Sequence, residues 1–277
     1  MIQRKRHALW APSVCTALVA MSVPDSYAAF VGVDDFEGYG LLTEVSDAAT
    51  NPGSNWFQEN ANVSDQVVLD PAGGTNQVLA FSNFSGGDHA LWNDEFNIPA
   101  VGGVGTIFLR ARLDNASPNL SFGLTDASSP GGFGSLHPQF AFRENATNFQ
   151  VRDAGSFRTI ADIDEDAWYN IWLVVDNDID ESLVYIQSDD DADFATFQQL
   201  SVGSPIDFRS DTGPTTDPLS KLLFTSGDAD VVFFDDIFFD PTGANLTNPI
   251  PENPIPEPAS ISLIALGLLV AGARRRR

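Results

Sequence analysis

The chain has 277 residues, with 38 Asp and Glu against 14 Lys and Arg, and a formal net charge of −24 at pH 7. Such a charge repels phosphate and carboxylate groups, which argues against nucleic acid, anionic lipid surfaces and acidic polysaccharides as partners. It is compatible with adaptation to a saline exterior and with binding of divalent cations.

The N-terminus has the three parts of a secretory signal peptide. A basic region at residues 4–6 precedes a mostly apolar run at residues 9–23, and Ser26 and Ala28 are the small residues of a cleavage site. We therefore predict that residues 1–28 are a signal helix that is removed on export.

The predicted mature domain covers residues 29–248, roughly 220 residues, which is long enough to bury a core without staples. The only cysteine, Cys15, lies in the signal segment, so the domain should fold without disulfides and bind no metal through thiolate. Seven of the 14 basic residues belong to the signal and the C-terminal tail, which leaves the domain even more acidic than the whole chain.

Short runs rich in Val, Ile, Phe and Trp recur through the domain, separated by Gly, Asn, Asp, Pro and Ser. This pattern predicts an all-β, antiparallel two-sheet sandwich. The predicted strands are 31–37, 56–59, 66–69, 77–81, 90–96, 106–113, 120–125, 139–143, 149–152, 169–176, 183–187, 221–224 and 231–239.

Two supersecondary features carry a resemblance. Residues 168–176 and 183–187 form a predicted hairpin, and acidic-aromatic strands open the domain at residues 33–37 and close it at residues 233–240. Together they resemble the concanavalin A-like (LamG-like) jelly roll. The resemblance implies that the first and last strands are neighbours and that a curved sheet offers its concave face to carbohydrate.

The paired ends also suggest a metal site. If the two terminal strands are adjacent, Asp34 or Asp35 and Asp235 or Asp236 would converge, and their repulsion would be relieved by a structural calcium ion. The hairpin loop at residues 176–181 is an alternative calcium site, because it has Asp-x-Asp-x-Asp spacing. It lacks the Gly and Glu of an EF-hand, so the site would be a looser one.

Glycan binding needs exposed aromatic faces beside hydrogen-bonding groups. Trp92 precedes an Asn-Asp-Glu run, so Trp92 and Asp94 are the predicted glycan-binding residues. Trp56 and Trp168 are further platforms that a sandwich more often buries, and Trp172 is expected in the core.

No catalytic motif is evident in the domain. The paired carboxylates of jelly-roll glucanases follow a Glu-x-Asp-x-x-Glu pattern, which is not found here, and no Gly-x-Ser-x-Gly is present. His89 and His137 are the only histidines of the predicted mature domain. We therefore assign no catalytic residue and favour a non-enzymatic role, with a secreted carbohydrate-active enzyme (glycoside hydrolase or polysaccharide lyase) as the alternative.

The C-terminus has the elements of a protein-sorting signal. A Pro-rich spacer at residues 249–258 ends in Pro256, Glu257 and Pro258, and precedes an apolar run at residues 259–273. As a helix this run is about 22 Å long, short for a hydrocarbon core of about 30 Å, and we predict a short transmembrane helix. The terminal basic cluster, which the positive-inside rule keeps in the cytoplasm, consists of Arg274, Arg275, Arg276 and Arg277.

This order of elements resembles the PEP-CTERM sorting signal of Gram-negative bacteria. The resemblance implies recognition by an exosortase, transient membrane insertion of residues 259–277 and delivery to the cell envelope or extracellular matrix. The expected function is that of an exported β-sandwich that binds neutral glycan or exopolysaccharide. A purely structural matrix protein without a ligand is the third possibility.

Overall fold

The computed structural model describes residues 29–59, 63–83, 89–114, 119–142, 148–188, 198–199, 205–209, 216–227 and 230–250. These residues form strands and one 3₁₀ turn, Phe133–Ser135, and contain no α-helix. In chain order the strands are β1 Val31–Asp34, β2 Trp56–Gln58, β3 Val63–Leu69, β4 Gln77–Asn83, β5 His89–Asn93, β6 Val104–Leu113, β7 Leu120–Thr125, β8 Gln139–Phe142, β9 Asn148–Asp153, β10 Ser156–Asp162, β11 Trp168–Asp176, β12 Glu181–Ser188, β13 Gln198–Gln199, β14 Ile206–Asp207, β15 Lys221–Ser226 and β16 Val232–Asp240.

The strands form two antiparallel sheets, as the sequence predicts. The nine-stranded sheet has the order β13-β12-β11-β6-β16-β4-β3, with β1 added beside β16 and β14 beside β12. The seven-stranded sheet has the order β10-β9-β8-β7-β15-β5-β2. Chain neighbours are therefore often separated in the sheets, as in a jelly roll, and β2 and β3 lie at the ends of their sheets.

The first and last strands pair, as the resemblance implies. Val31 lies opposite Phe239 and Gly32 opposite Phe238, and a register shift then places Asp34 opposite Ile237. The shift accompanies a local irregularity in which Asp236 has a φ of 48°. An irregularity of this kind redirects the side chains that follow it, so pairing of the backbones does not by itself bring the acidic side chains together.

The predicted hairpin is confirmed, with a shorter connection than expected. Trp172 lies opposite Tyr185, and the pairing extends to Asp176 and Glu181. The connection therefore consists of residues 177–180. The Asn177 side chain is buried there and donates to the carbonyl of Ile98, which fastens the hairpin tip to the loop before β6.

Aromatic rings in mutual contact form the centre of the core between the sheets. Phe224 of the seven-stranded sheet and Phe234 of the nine-stranded sheet meet with ring centroids 4.4 Å apart. Trp56 and Phe122 extend this contact along the seven-stranded sheet, with centroids 5.8 and 6.3 Å from Phe224. Each such ring removes on the order of 150–250 Å² from water, so these rings dominate the cohesion of the sandwich.

Both sheets are partly covered on their outer faces. The loop between β7 and β8 lies on the seven-stranded sheet, where Leu136 is buried against Ala90 and Leu223. A Cβ on Gly123 would approach the Pro138 carbonyl oxygen to 2.1 Å, so this close passage of the loop requires glycine. On the other sheet the segment after β16 crosses Trp172, whose indole N–H donates to the Thr247 carbonyl.

All thirteen predicted strands occur, with ends shifted by a few residues. Three strands were not predicted: β10, β13 and β14. The predicted signal and sorting helices lie outside the described residues. Within the described ranges, no helix has the length and apolarity needed to cross a membrane.

Candidate functional site

An aromatic pair lies on the outer face of the seven-stranded sheet, at its β2 edge. Phe57 and Trp92 are cross-strand neighbours whose rings stack with centroids 6.1 Å apart and planes 22° apart. Phe57 is 42% exposed, and Trp92 is half-buried against the cluster of Ala90, Leu136 and Leu223. We call Phe57 and Trp92 the aromatic platform.

Strand alternation explains why these two rings point outward. Successive side chains of a strand face opposite sides of the sheet. Trp56 and Leu91 face the core between the sheets, so their neighbours Phe57 and Trp92 face the exterior.

Polar residues directly follow β5, the strand that carries Trp92. Asp94 and Glu95 are both exposed, and the Glu95 carboxylate accepts a hydrogen bond from the Asn55 side-chain amide. The buried Asn93 turns the chain by accepting from the Glu95 backbone N–H at 2.9 Å. The predicted residue Trp92 therefore stacks on a second aromatic ring, Phe57, that sequence reasoning did not select, and Asp94 follows Trp92 by two positions.

The other tryptophans considered as platforms are buried. Trp56 is 2% exposed, and its indole N–H donates to Asp34 Oδ2 at 2.7 Å. Trp168 stacks under the Arg110 guanidinium, 4.8 Å from the ring centroid. Trp172 is fully buried as expected, but under Thr247 on the outer side of the nine-stranded sheet rather than between the sheets.

The first predicted metal residues, Asp34 and Asp35, lie at the end of β1. Asp34 Oδ2 accepts from Trp56 and from the Tyr39 hydroxyl at 2.7 Å, and Asp34 Oδ1 accepts from the Phe36 backbone N–H. Burial raises the pKa of Asp34 although these three hydrogen bonds oppose the shift. Asp35 is exposed and accepts from the Glu37 backbone N–H at 3.2 Å.

The second predicted pair, Asp235 and Asp236, lies beside Arg110. The Arg110 guanidinium is 3.6 Å from Asp235 Oδ2 and 3.4 Å from Asp236 Oδ2. The Asn76 amide donates to Asp235 at 2.8 Å. Burial, reinforced by the charge of Asp236, raises the pKa of Asp235 to about 7.

The structure does not gather the four aspartates into one group. Asp34 is directed toward Trp56 in the core, whereas Asp235 follows the core residue Phe234 and so points to the opposite side of the sheet. Within the described ranges, no three acidic, His or Cys side chains are arranged to hold a metal ion. Calcium binding by these aspartates stays a prediction.

The hairpin loop uses its acidic side chains within the fold. Asp176 Oδ1 accepts from the Asp178 backbone N–H, and Asp178 Oδ1 accepts from the Gly102 backbone N–H at 2.9 Å. The first bond is an Asx turn, and the second ties the loop to the segment before β6, so two of the three alternate aspartates have partners within the fold.

Comparison with known proteins identifies the C-terminal motif. The PEP-CTERM protein-sorting motif matches residues 254–277. The match includes every predicted sorting residue: Pro256, Glu257, Pro258, Arg274, Arg275, Arg276 and Arg277. No curated protein sequence matches the chain.

Solved structures with a similar fold include three examples. A sialidase is 12% identical with a TM-score of 0.48 over 77% of this chain, which spans only 18% of that protein. The Ca²⁺-bound exoplasmic/lumenal domain of VIP36 is 9% identical, with a TM-score of 0.44 over 76% of this chain and 89% of that one. The Lotus tetragonolobus seed lectin is 9% identical, with a TM-score of 0.40 over 68% and 96%.

Identities this low bear on the fold alone, and none of these similarities assigns a ligand. The motif implies export and exosortase-dependent sorting. The chain thus carries a PEP-CTERM sorting signal behind an all-β, antiparallel two-sheet sandwich.

Proposed function

We propose that this exported protein is a non-enzymatic domain of the cell envelope or extracellular matrix that binds neutral glycan at the aromatic platform. The observation that carries the proposal is the stacked, outward-facing pair of Phe57 and Trp92 beside the exposed carboxylates of Asp94 and Glu95. Sugar rings present C–H groups that stack on aromatic faces, while carboxylates accept hydrogen bonds from sugar hydroxyls.

The charge of the domain limits the class of glycan. With a formal net charge of −24 for the chain, uronate-rich or sulfated polymers would be repelled. The proposed ligand is therefore a neutral chain, such as one built of hexoses. The proposed organisation around this domain is a signal segment at residues 1–28, a spacer at residues 249–258 and a transient membrane helix at residues 259–277.

A glycan array with the full-length chain in detergent micelles tests the proposal. We expect binding to neutral and not to anionic glycans, and a loss of at least tenfold in affinity for Phe57→Ala, about 1.4 kcal/mol. Leu69→Ala is the matched control, because Leu69 is a similarly exposed apolar residue, 49% exposed, on the other sheet.

Three results would contradict the proposal. Binding of no neutral glycan would favour the purely structural role. Equal affinity of Phe57→Ala and Leu69→Ala would place the glycan elsewhere. Release of reducing ends or unsaturated sugars from a bound glycan would favour the carbohydrate-active enzyme.

A further inference from the structure

A polar cluster lies inside the sandwich at the edge formed by β2 and β3. Gln58 follows the core residue Trp56 by two positions in β2, and Asp65 precedes the core residue Val67 by two positions in β3. Because strand side chains alternate, Gln58 and Asp65 both face the space between the sheets, and they approach it from opposite sheets.

The segment before β2 closes this edge and adds two more oxygen-bearing side chains. Val45 N–H donates to the Asp65 carbonyl at 3.0 Å, and Glu44 forms an isolated antiparallel bridge with Gln66. The Ser46 backbone N–H donates to Asp65 Oδ2 at 2.9 Å. Ser46 is thereby held against Asp65, and the Glu44 side chain meets Gln58. We call Glu44, Ser46, Gln58 and Asp65 the edge cluster.

Three oxygens of the edge cluster are buried without a hydrogen-bond partner among the described residues: Ser46 Oγ, Gln58 Oε1 and Asp65 Oδ1. Asp65 itself is 0% exposed. A buried acceptor that meets no donor costs about 1–3 kcal/mol, and more if it is charged. Asp65 Oδ1 and Gln58 Oε1 are acceptors of this kind, and Ser46 Oγ adds hydroxyl lone pairs beside them, so a donor or a cation fits between them.

No basic side chain of the described residues forms an ion pair with Glu44 or Asp65. The Gln58 side chain contacts the Glu44 carboxylate, and the Ser46 side chain contacts that of Asp65. The four side chains therefore lie close together.

We propose that the edge cluster binds a calcium ion that joins the edge strands of the two sheets. Carboxylate, amide and hydroxyl oxygens are the ligands that calcium takes in proteins, completed by water or backbone carbonyls. The two carboxylates balance the charge of the ion, and Gln58 Oε1 and Ser46 Oγ supply neutral oxygens. Exported proteins meet calcium in the range where extracellular modules bind it, with Kd about 10⁻⁴–10⁻³ M.

The site is distinct from the terminal aspartates predicted from the sequence, and it lies behind the aromatic platform. β2 has only three residues; it directs Gln58 inward and Phe57 outward. Calcium bound to Gln58 would hold β2 against β3 and so fix the position of Phe57.

Thermal unfolding of the full-length chain in detergent, stripped with EDTA and then titrated to 10 mM calcium, tests the proposal. At calcium concentrations about 100 times Kd we expect Tm to rise by roughly 5–10 °C. Asp65→Asn and Glu44→Gln should abolish this rise. Asp47→Asn is the matched control from the same segment, because both Asp47 carboxylate oxygens already accept local bonds, from Ala49 and Thr50; it should retain the rise.

A second measurement avoids dependence on the folding of any variant. Terbium bound at the edge cluster should show luminescence sensitised by Trp56, and calcium should displace it. No rise in Tm up to 10 mM calcium would overturn the proposal and leave protonation of Asp65 as the explanation of the cluster. A rise retained in Asp65→Asn and Glu44→Gln would place calcium elsewhere and would also overturn it.

Discussion

Two pairs of carboxylates in this sandwich, each with one fully buried member, differ in how their charge is compensated. Asp235 and Asp236 share the Arg110 guanidinium at 3.4–3.6 Å, whereas Glu44 and Asp65 in the edge cluster have no basic partner among the described residues. Asp235 lies on the outer side of its sheet, and Asp65 faces the space between the sheets. The first group has a cation from its own chain, although burial still outweighs it at Asp235, whereas the second would need a cation from solution.

Removal of Arg110 should have the largest effect. We expect Arg110→Met to lower the free energy of unfolding by about 3–5 kcal/mol at pH 8, because it leaves buried charge uncompensated. The loss should be smaller at pH 5, where Asp235, with its pKa of about 7, is protonated. Urea unfolding at the two pH values measures it.

Arg158→Met is the control for this prediction. Arg158 pairs with Asp153 at 3.0 Å, but its side chain is 45% exposed, so its loss should cost less than about 1 kcal/mol. Equal losses for Arg110→Met at pH 5 and pH 8 would show that the guanidinium acts through its stacking on Trp168 rather than through charge.

Asp235→Asn should have an intermediate effect of opposite sign. Because burial raises the pKa of Asp235 from 3.8 to about 7, the folded state holds a proton that the unfolded state releases, and stability falls as the pH rises between these values. We expect the variant to be more stable than the parent by about 2 kcal/mol at pH 8 and no more stable at pH 4. A variant less stable than the parent at pH 8 would contradict this.

Asp65→Asn in EDTA should have the smallest effect. Without calcium the buried carboxylate is uncompensated and burial raises its pKa, so exchanging it for an amide of the same shape should raise rather than lower the free energy of unfolding, by less than about 1 kcal/mol at pH 7.5. Urea unfolding in EDTA measures the change. A loss above about 2 kcal/mol would mean that the Asp65 carboxylate stabilises the fold without a cation, and the two groups would then differ less than proposed.

Much of the fold could be predicted because its strands are strongly patterned. β7, Leu120–Thr125, was predicted to the residue from its alternation of apolar and polar side chains. β10 was missed because Ser156–Asp162 is exposed or half-buried throughout and carries no apolar stripe. β14 has two residues, too few to show any period.

The candidate sites were less predictable, since they depend on which sheet face each residue joins. Trp56 and Phe57 are adjacent, so one must point inward and the other outward, but the sequence does not say which. Trp92 was predicted to bind glycan because acidic residues follow it in the sequence. Phe57 was overlooked because the adjacent Trp56 was the more obvious aromatic candidate. The edge cluster brings Gln58 and Asp65 together from two sheets, a proximity that no local spacing reveals.

The segment after β16 determines how a tethered domain would be oriented. The Asn245 side chain donates to Asp240 and its backbone N–H donates to Thr106 Oγ1. The Thr247 carbonyl accepts from Trp172, so the polypeptide departs from a fixed point on the nine-stranded sheet. A pull on the Pro-rich spacer would therefore be applied to the broad face of that sheet. The aromatic platform of Phe57 and Trp92 lies on the outer face of the other sheet, on the opposite side of the sandwich from this point of departure.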